Sequence, residues 1–343
     1  MRRIQRLLNY FTAQGDKLSP LLILTHDYPD PDSLASACAL QVLAERGFGL
    51  KTRIVYGGVI GRSENQEMVR ILKLPVYKLR PSDFKKFPQV ALVDTQPSFT
   101  NNSFPKKRKA SIVIDQHPSE SKPFSDFSLV DAEIGATSVL LAEALFHQGI
   151  EIPARVATAL VYGILSDTLN LYRAHKPEIM HTYLRLLPLC DIRALARIQN
   201  PQRSRKFFAT MVKGIQKARI MRRVIVSHLG PVESPDLVAQ MADVFLTCEG
   251  TQWAFCTGHY GENLHLSLRA SNPEGAAGAV LRDIVVDRGQ AGGHGHIAGG
   301  KMKVGHAQTP EDWERVEELV TERLAAKLKI PKESIFHSSF LGQ

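Results

Sequence analysis

Short apolar runs alternate with longer stretches of helical periodicity along the first half of the chain. Leu21 to Leu24 form an uninterrupted apolar run that reads as a buried strand, and the loop after it hands over to a helix through Arg46, ended by Gly47 and Gly49. The pattern then predicts strands over Leu50 to Tyr56, Pro88 to Thr95 and Ala110 to His117, with a helix around Glu64 to Leu72. Helices are predicted from Gly135 to Gln148 and, apolar on most sides, from Pro153 to Leu171. Strands alternating with helices define an α/β domain with a parallel sheet, assigned to residues 1–190.

Beyond it, residues 191–220 are rich in Arg and Lys and read as a helical connector. A smaller mixed α+β domain then occupies 221–343. Its expected parts are a strand from Val224, a helix after Pro235, a hairpin turning at Gly261-Glu262-Asn263, a helix from Ala276 to Val286, a glycine-rich loop and a closing helix. That last helix carries Thr309 as cap, Pro310 in its first turn and a stripe of Trp313, Val316, Leu319, Val320 and Ala326, a pattern that calls for packing alone.

Composition adds two constraints. The 343 residues are 44% hydrophobic and 22% charged, an ordinary balance for a soluble two-domain chain, and no apolar segment approaches the length of a membrane span. The amphipathic start reads as a folded helix rather than a signal peptide, so the expected location is the cytoplasm. Cys38, Cys190, Cys248 and Cys256 lack CxxC spacing and read as buried free thiols. A net charge of +9 favours an anionic partner, with phosphates the natural class. The basic run Lys106-Lys107-Arg108-Lys109 reads as a solvated loop.

The candidate chemistry gathers at the predicted carboxyl ends of strands, where open parallel sheets bind ligands. His26, Asp27, Asp30 and Asp32 follow the first strand, Asp94 ends another, and Asp115 and His117 end a third. Pro29 and Pro31 should stiffen the first loop and splay Asp30 and Asp32 toward different cations. Asp32 followed by Ser33 also reads as a helix N-terminus. Asp167, near the end of an apolar helix, is costly there unless paired with Arg173 or bound to a cation. Carboxylates and imidazoles without thiols suit Mn²⁺ or Mg²⁺, and two such ions can activate water against a phosphate ester. In the second domain Gly292, Gly293 and His294, with Arg269, Lys301 and Lys303 nearby, read as an anion-binding loop.

As a set these stretches resemble the DHH phosphoesterase family, in particular members with a DHH-associated C-terminal domain such as nanoRNase/pAp phosphatases and RecJ-like exonucleases. The matching motifs are HDYPDPD, VDT at Val93 to Thr95, DQH at Asp115 to His117, YGILSDT ending at Asp167, and AGGHGHIAGG. The resemblance implies one metal on His26, Asp30 and Asp94, and a second on Asp32, Asp94, Gln116 and Asp167. It implies His117 near the scissile phosphate, Asp115 orienting the signature loop, and Arg269, Gly292, Gly293 and His294 binding substrate. Two divalent cations, Mn²⁺ before Mg²⁺, and a short oligoribonucleotide, dinucleotide or pAp as substrate follow from it. The alternatives are a linear or cyclic dinucleotide phosphodiesterase and a nucleotide-binding regulator. The departure is Gln116, which stands where the family has a histidine ligand. Oligomeric state is left open, a homodimer included.

Overall fold

The structure, a computed structural model, describes residues 2–119, 121–272, 275–285, 289–304, 309–331 and 337–338. It divides into two compact units, Met1–Pro201 and Gln202–Gln343.

The first unit is built on six parallel strands: β1 (Leu21–Leu24), β2 (Thr52–Tyr56), β3 (Val76–Lys78), β4 (Gln89–Val93), β5 (Ala110–Asp115) and β6 (Ser125–Val130). Their order is β3-β2-β1-β4-β5-β6, so the sheet reverses direction of growth between β1 and β4. Every residue of β1 is buried because it is central and covered twice. Leu21 and Ile23 enter a large core with α1 (Arg2–Leu18), α2 (Pro31–Val42), α5 (Thr137–His147) and α6 (Ala154–Asp167). Leu22 and Leu24 face a smaller core closed by Phe104. α3 (Ser63–Leu72), α7 (Pro177–Leu186) and α8 (Ile192–Gln199) complete the helical side, and the single turn α4 (Asp83–Lys86) follows β3.

Several expectations are corrected here. β3, β6 and α4 were not foreseen; β3 is only three residues long and β6 is half-exposed, so neither carries the solid apolar run of a central strand. The helix predicted from Pro153 to Leu171 stops at Asp167, and Leu169, Asn170 and Leu171 adopt left-handed backbone. The first loop does not splay Asp30 and Asp32 along an extended segment. Asp30 is itself the N-cap of α2, accepting from the Ser33 N–H, with Pro31 at the first helical position and Asp32 in the first turn. Two of the four cysteines, Cys190 and Cys248, are only partly buried.

In the second unit α9 (Arg205–Lys217) precedes β7 (Arg219–Met221), β8 (Val224–Pro231), α10 (Pro235–Leu246), β9 (Trp253–Tyr260) and β10 (Asn263–Ala270). Then come α11 (Ala277–Ile284), β11 (Gly289–His294), β12 (Ile297–Lys303), α12 (Pro310–Lys327) and β13 (His337–Ser338). The strands form one sheet, β11-β12-β10-β9-β8-β7-β13, antiparallel except between β8 and β9. One face packs on α11 and α12, the other on α9 and α10. Of the stretch read as a connector, α8 lies in the first unit and α9 in the second.

The glycine-rich segment is not a loop. It is the hairpin β11–β12, with Gly292 opposite Gly299 and a turn at Gly295-His296. Nor is α12 packing alone: it buries Glu317, whose Oε1 accepts from Thr257 Oγ1 at 3.0 Å and meets His259 Nε2 at 2.9 Å. Burial pushes the nearby His228 imidazole down to about 4, so it stays neutral between Thr257 and Thr321. The apolar stripe missed this because Glu317 and Thr321 sit beside Val320 on the inward face.

In the first unit α6 lies directly against the start of α2, and Gly163 permits that approach. A Cβ there would meet Ser138 Oγ at 2.6 Å, Asp32 Cα at 3.1 Å and the Pro31 carbonyl at 3.2 Å. Gly163→Ala should therefore destabilise the first unit by about 1–3 kcal/mol through overpacking. Denaturant melts of the two proteins check this, and an unchanged midpoint would remove Gly163 from the account.

Candidate metal centre

Four chain segments deliver polar side chains to the edge where the sheet reverses. β1 leads into His26 and the α2 N-terminus; β4 ends at Val93, and Asp94 follows with φ 58°. The left-handed backbone turns the chain sharply at Asp94, an uncommon conformation for a residue with a Cβ. β5 ends on Asp115, followed by Gln116 and His117, and α6 ends on Asp167.

Asp94 is the meeting point. His26 Nε2 lies 3.7 Å from Asp94 Oδ2 and 3.7 Å from Asp30 Oδ1. His117 Nδ1 lies 3.6 Å from Asp94 Oδ1 and 2.8 Å from Asp115 Oδ1. These make two sets of donors, His26/Asp30/Asp94 and Asp94/Asp115/His117, each with its ligand atoms within 4.8 Å of one another. Asp94 Oδ1 accepts from Thr137 Oγ1, whereas Oδ2 is buried and has no hydrogen-bond partner. A carboxylate oxygen left bare beside an imidazole and a second carboxylate fits a divalent cation, and hard oxygen and imidazole donors suit Mn²⁺ or Mg²⁺.

Asp32 is held differently. Both its oxygens accept backbone N–H groups at the start of α5, Oδ2 from Thr137 at 2.7 Å and Oδ1 from Ser138 at 2.8 Å. A carboxylate from one helix thus caps another, where the dipole favours negative charge. Gln116 Nε2 donates to Asp167 Oδ2 at 2.5 Å and reaches Asp32 Oδ2 at 3.4 Å. Asp32, Gln116 and Asp167 are therefore brought together, as the resemblance implied, with the glutamine amide between two acids. Asp115 and Gln96 fix His117: Asp115 Oδ1 takes the His117 backbone N–H and faces Nδ1, while Gln96 Nε2 donates to Asp115 Oδ2 and to the His117 carbonyl.

Asp27 leaves the cluster, accepting from Ser103 Oγ and packing against Gly57, where a Cβ would fall 2.1 Å from its Oδ1. Thr137, Ser138 and Gln96 were missed by the sequence reading. The run Gly135-Ala136-Thr137-Ser138, hydroxyls at a helix start with no acid to serve as cap, was the available signal for the first two. In the second unit Arg269 is buried, with Nε on Asp243 at 2.5 Å and Nη1 on Ser267 Oγ and the Leu268 and Ala298 carbonyls. An anion reaching Arg269 would share it with Asp243. Gly292 is exposed on β11; the His294 side chain lies outside the described residues.

Burial and the neighbouring charge of Asp30 raise Asp32 to about 6, against the opposing Ser138 and Thr137 hydrogen bonds. Burial, with Asp32 and Asp30 close by, raises Asp94 well above the carboxylate range, and burial does the same to Asp167. His117 moves up too: burial disfavours its proton, but Asp115 outweighs it.

No family model matches the chain. It is 30% identical over 325 residues to an uncharacterised protein of Methanocaldococcus jannaschii, covering 94% of this chain and 66% of that one. A Streptococcus pyogenes protein named as a probable manganese-dependent inorganic pyrophosphatase is 26% identical over 158 residues, covering 45% of this chain and 50% of its own. The chain therefore spans just under two thirds of the first relative's length and half of the second's. The fold matches the crystal structure of an exopolyphosphatase-related protein from Bacteroides fragilis, with a TM-score of 0.74, 15% identity, and coverage of 94% of this chain and 98% of that one. The parallel sheet with its second unit is thus the fold of that protein.

The raised carboxyls give a signed prediction for metal-free protein. A group whose folded value lies above its usual 3.8 contributes stability that is fully present below 3.8 and lost as pH rises through the folded value. Asp32, Asp94 and Asp167 should together destabilise the metal-free first unit as pH rises from 4 to 7, by a few kcal/mol at roughly 1.4 kcal/mol per pH unit for each raised group. Thermal melts in chelator should fall over that range, and Mn²⁺ should restore them at pH 7. A melt that stays flat in chelator would show that the acids are already compensated by protein groups.

Proposed function

We propose that the protein is a divalent-metal phosphodiesterase acting on short oligoribonucleotides or dinucleotides, with 3′-phosphonucleotides such as pAp as second substrates. The bare Oδ2 of Asp94, at the convergence of His26, Asp30 and His117, is the observation that carries the reading. Mn²⁺ or Mg²⁺ bound there supplies a Lewis acid for a phosphoryl oxygen and a means of activating water. His26, Asp30 and Asp94 are the holders of one ion; Asp32, Asp94, Gln116 and Asp167 are those of the second.

The remaining roles follow from what these residues can do alone. The Asp115 carboxylate beside His117 Nδ1 favours a proton on that nitrogen and leaves Nε2 to meet the substrate phosphate. With its affinity for protons raised, His117 can hold a proton near neutrality and donate it to a departing oxygen. Asp32 is anchored on α5 and cannot swing away, which fixes the spacing between the acids. For Gln116, a half-turn of the amide presents Oε1 in place of Nε2, and the carbonyl then becomes a hard-metal ligand.

A small substrate fits the bare glycine surface of the second unit. Gly292 and Gly299 face each other in register, and a Cβ at either position would meet nothing within 4 Å. Such a surface lets a base or ribose lie flat against backbone. Lys301, on β12, adds positive charge nearby.

Purified protein assayed with Mn²⁺ or Mg²⁺ against pAp, di- to pentanucleotides, cyclic dinucleotides and pyrophosphate tests the reading. Pyrophosphate joins the panel because of the streptococcal relative's name. Turnover of dinucleotides or pAp is expected, with a loss of at least about a hundredfold in Asp94→Ala. Gln116→His should lower the Mn²⁺ concentration needed for half-maximal rate. Turnover of pyrophosphate alone would replace the proposed substrate, and binding without turnover would make the protein a nucleotide-binding regulator.

A further inference from the structure

We infer that a second anion site lies in the first unit, in a cleft of about 540 Å³ between the end of α3 and the starts of α6 and α8, and that it takes the phosphate chain of a polyphosphorylated molecule. Four cations border this cleft: Lys73, which closes α3, Arg155 in the first turn of α6, and Arg193 and Arg197 on α8. Their side chains make no hydrogen bond or ion pair among the described residues. Elsewhere in the same unit basic side chains are commonly matched, as in Arg3 with Glu178, Arg185 with Glu143 and Lys176 with Glu133.

One acid lines the cleft and keeps its charge, which leaves an excess of three positive charges in the lining. Asp191, which also lines it, caps α8 by accepting from the Arg193 and Ala194 N–H groups through Oδ1. Glu67, whose charge Arg197 feels, is held through both oxygens by Arg70. Four like charges around one concavity repel one another, and an anion relieves all of them at once. The start of α6 adds to this. Pro153 provides no side-chain cap, and Ala154 and Arg155, the first two residues of α6, line the cleft.

Charge count and volume together select the ligand class. Four cations less the Asp191 carboxylate, with a helix N-terminus beside them, exceed what a monophosphate neutralises, whereas a polyphosphate chain brings comparable negative charge, and the volume lies in the range of small-molecule sites. The cleft is separate from the carboxylate cluster. α6 has 14 residues, so it holds Ala154 about 20 Å from Asp167, and the acids sit at its other end. The inference therefore stands apart from the phosphodiesterase reading, and either can fail alone.

Calorimetric titration of the full chain in Mg²⁺ at low salt tests it. The probes are imidodiphosphate and the β,γ-imido analogue of ATP, which separate free polyphosphate from nucleotide, and a twelve-nucleotide single strand. At least one polyphosphate probe should bind. Arg155→Gln with Arg193→Gln should weaken it about tenfold or more, as expected for losing two charge-assisted contacts. Asp94→Ala should leave that affinity unchanged, and the Gln pair should hydrolyse the cluster's own substrate at the normal rate. A second pair, Lys73→Gln with Arg197→Gln, should repeat the loss if the first pair melts early. Equal affinity in wild type and both variant pairs would overturn the site, as would a single strand that alone responds to the substitutions.

Discussion

The structure depends on gathering five carboxylates, Asp30, Asp32, Asp94, Asp115 and Asp167, at one largely dry sheet edge. Unpaired, such a group is among the most expensive things a protein can bury. The fold offsets most of it with neutral donors: two backbone N–H groups of α5 for Asp32, the Ser33 N–H for Asp30, the Gln96 amide for Asp115 and the Gln116 amide for Asp167. The compensation stops one atom short, at Asp94 Oδ2. Had the protein satisfied that oxygen as well, the cluster would be stable and inert. Its deficit is what gives a divalent cation a reason to bind.

Holding that deficit in place falls to the sheet and to helix packing rather than to the loops. β1 and β4 are neighbours at the reversal point, so the residues after them, His26 and Asp94, emerge side by side with no long connection to bend. The left-handed turn at Asp94 aims its carboxylate back across the strand ends. From the other side, the close approach at Gly163 seats α6 against α2, and this sets how near Asp167 comes to Asp32. Apolar burial supplies the driving force throughout: β1 and α2 are almost wholly inside the core, α6 is inside it from Val156 to Leu165 except at Tyr162, and the polar cluster is carried on their ends.

Much of this was legible in the sequence because it rests on local chemistry. Leu21 to Leu24, Val90 to Val93 and Ile112 to Ile114 are solid apolar runs, and the acids that follow each run could be read off directly. Partners supplied by distant backbone could not. Nothing near Asp32 in sequence says that its carboxylate will cap a helix beginning at Thr137, over a hundred residues away, and that pairing exists only once α2 and α5 pack together. The reading of Asp32 as part of a helix N-terminus holds, with Asp32 in the first turn of α2, but it did not name Asp30 as the cap. Pro31, compatible with a first helical position, sets the start of the helix and leaves the residue before it as the cap. In the second unit glycine density read as a loop, although glycines on a hairpin whose partner strand is itself glycine-rich pair without hindrance. Glu317 was hidden because a buried acid looks like a surface one until its histidine and threonine partners, from β9, are in place.

Gln116 shows how one substitution can be accommodated without dismantling such a cluster. An imidazole between Asp32 and Asp167 can bring a positive charge when protonated or a nitrogen ligand when neutral; an amide brings neither charge nor a strong donor atom for a transition metal. What it retains is the ability to serve both acids, donating through Nε2 as it does here or offering Oε1 to a hard cation. The group of His26, Asp30 and Asp94 is untouched by the change, since no contact to Gln116 enters it. The two halves of the cluster share Asp94, and the charge of Asp30 also reaches Asp32 and Asp167, so the electrostatic penalty of weakening one half is felt at the other. A cation held by His26, Asp30 and Asp94 would lower the repulsion that Asp30 and Asp94 exert on Asp32 and Asp167, and so would ease the demand on the amide that serves both.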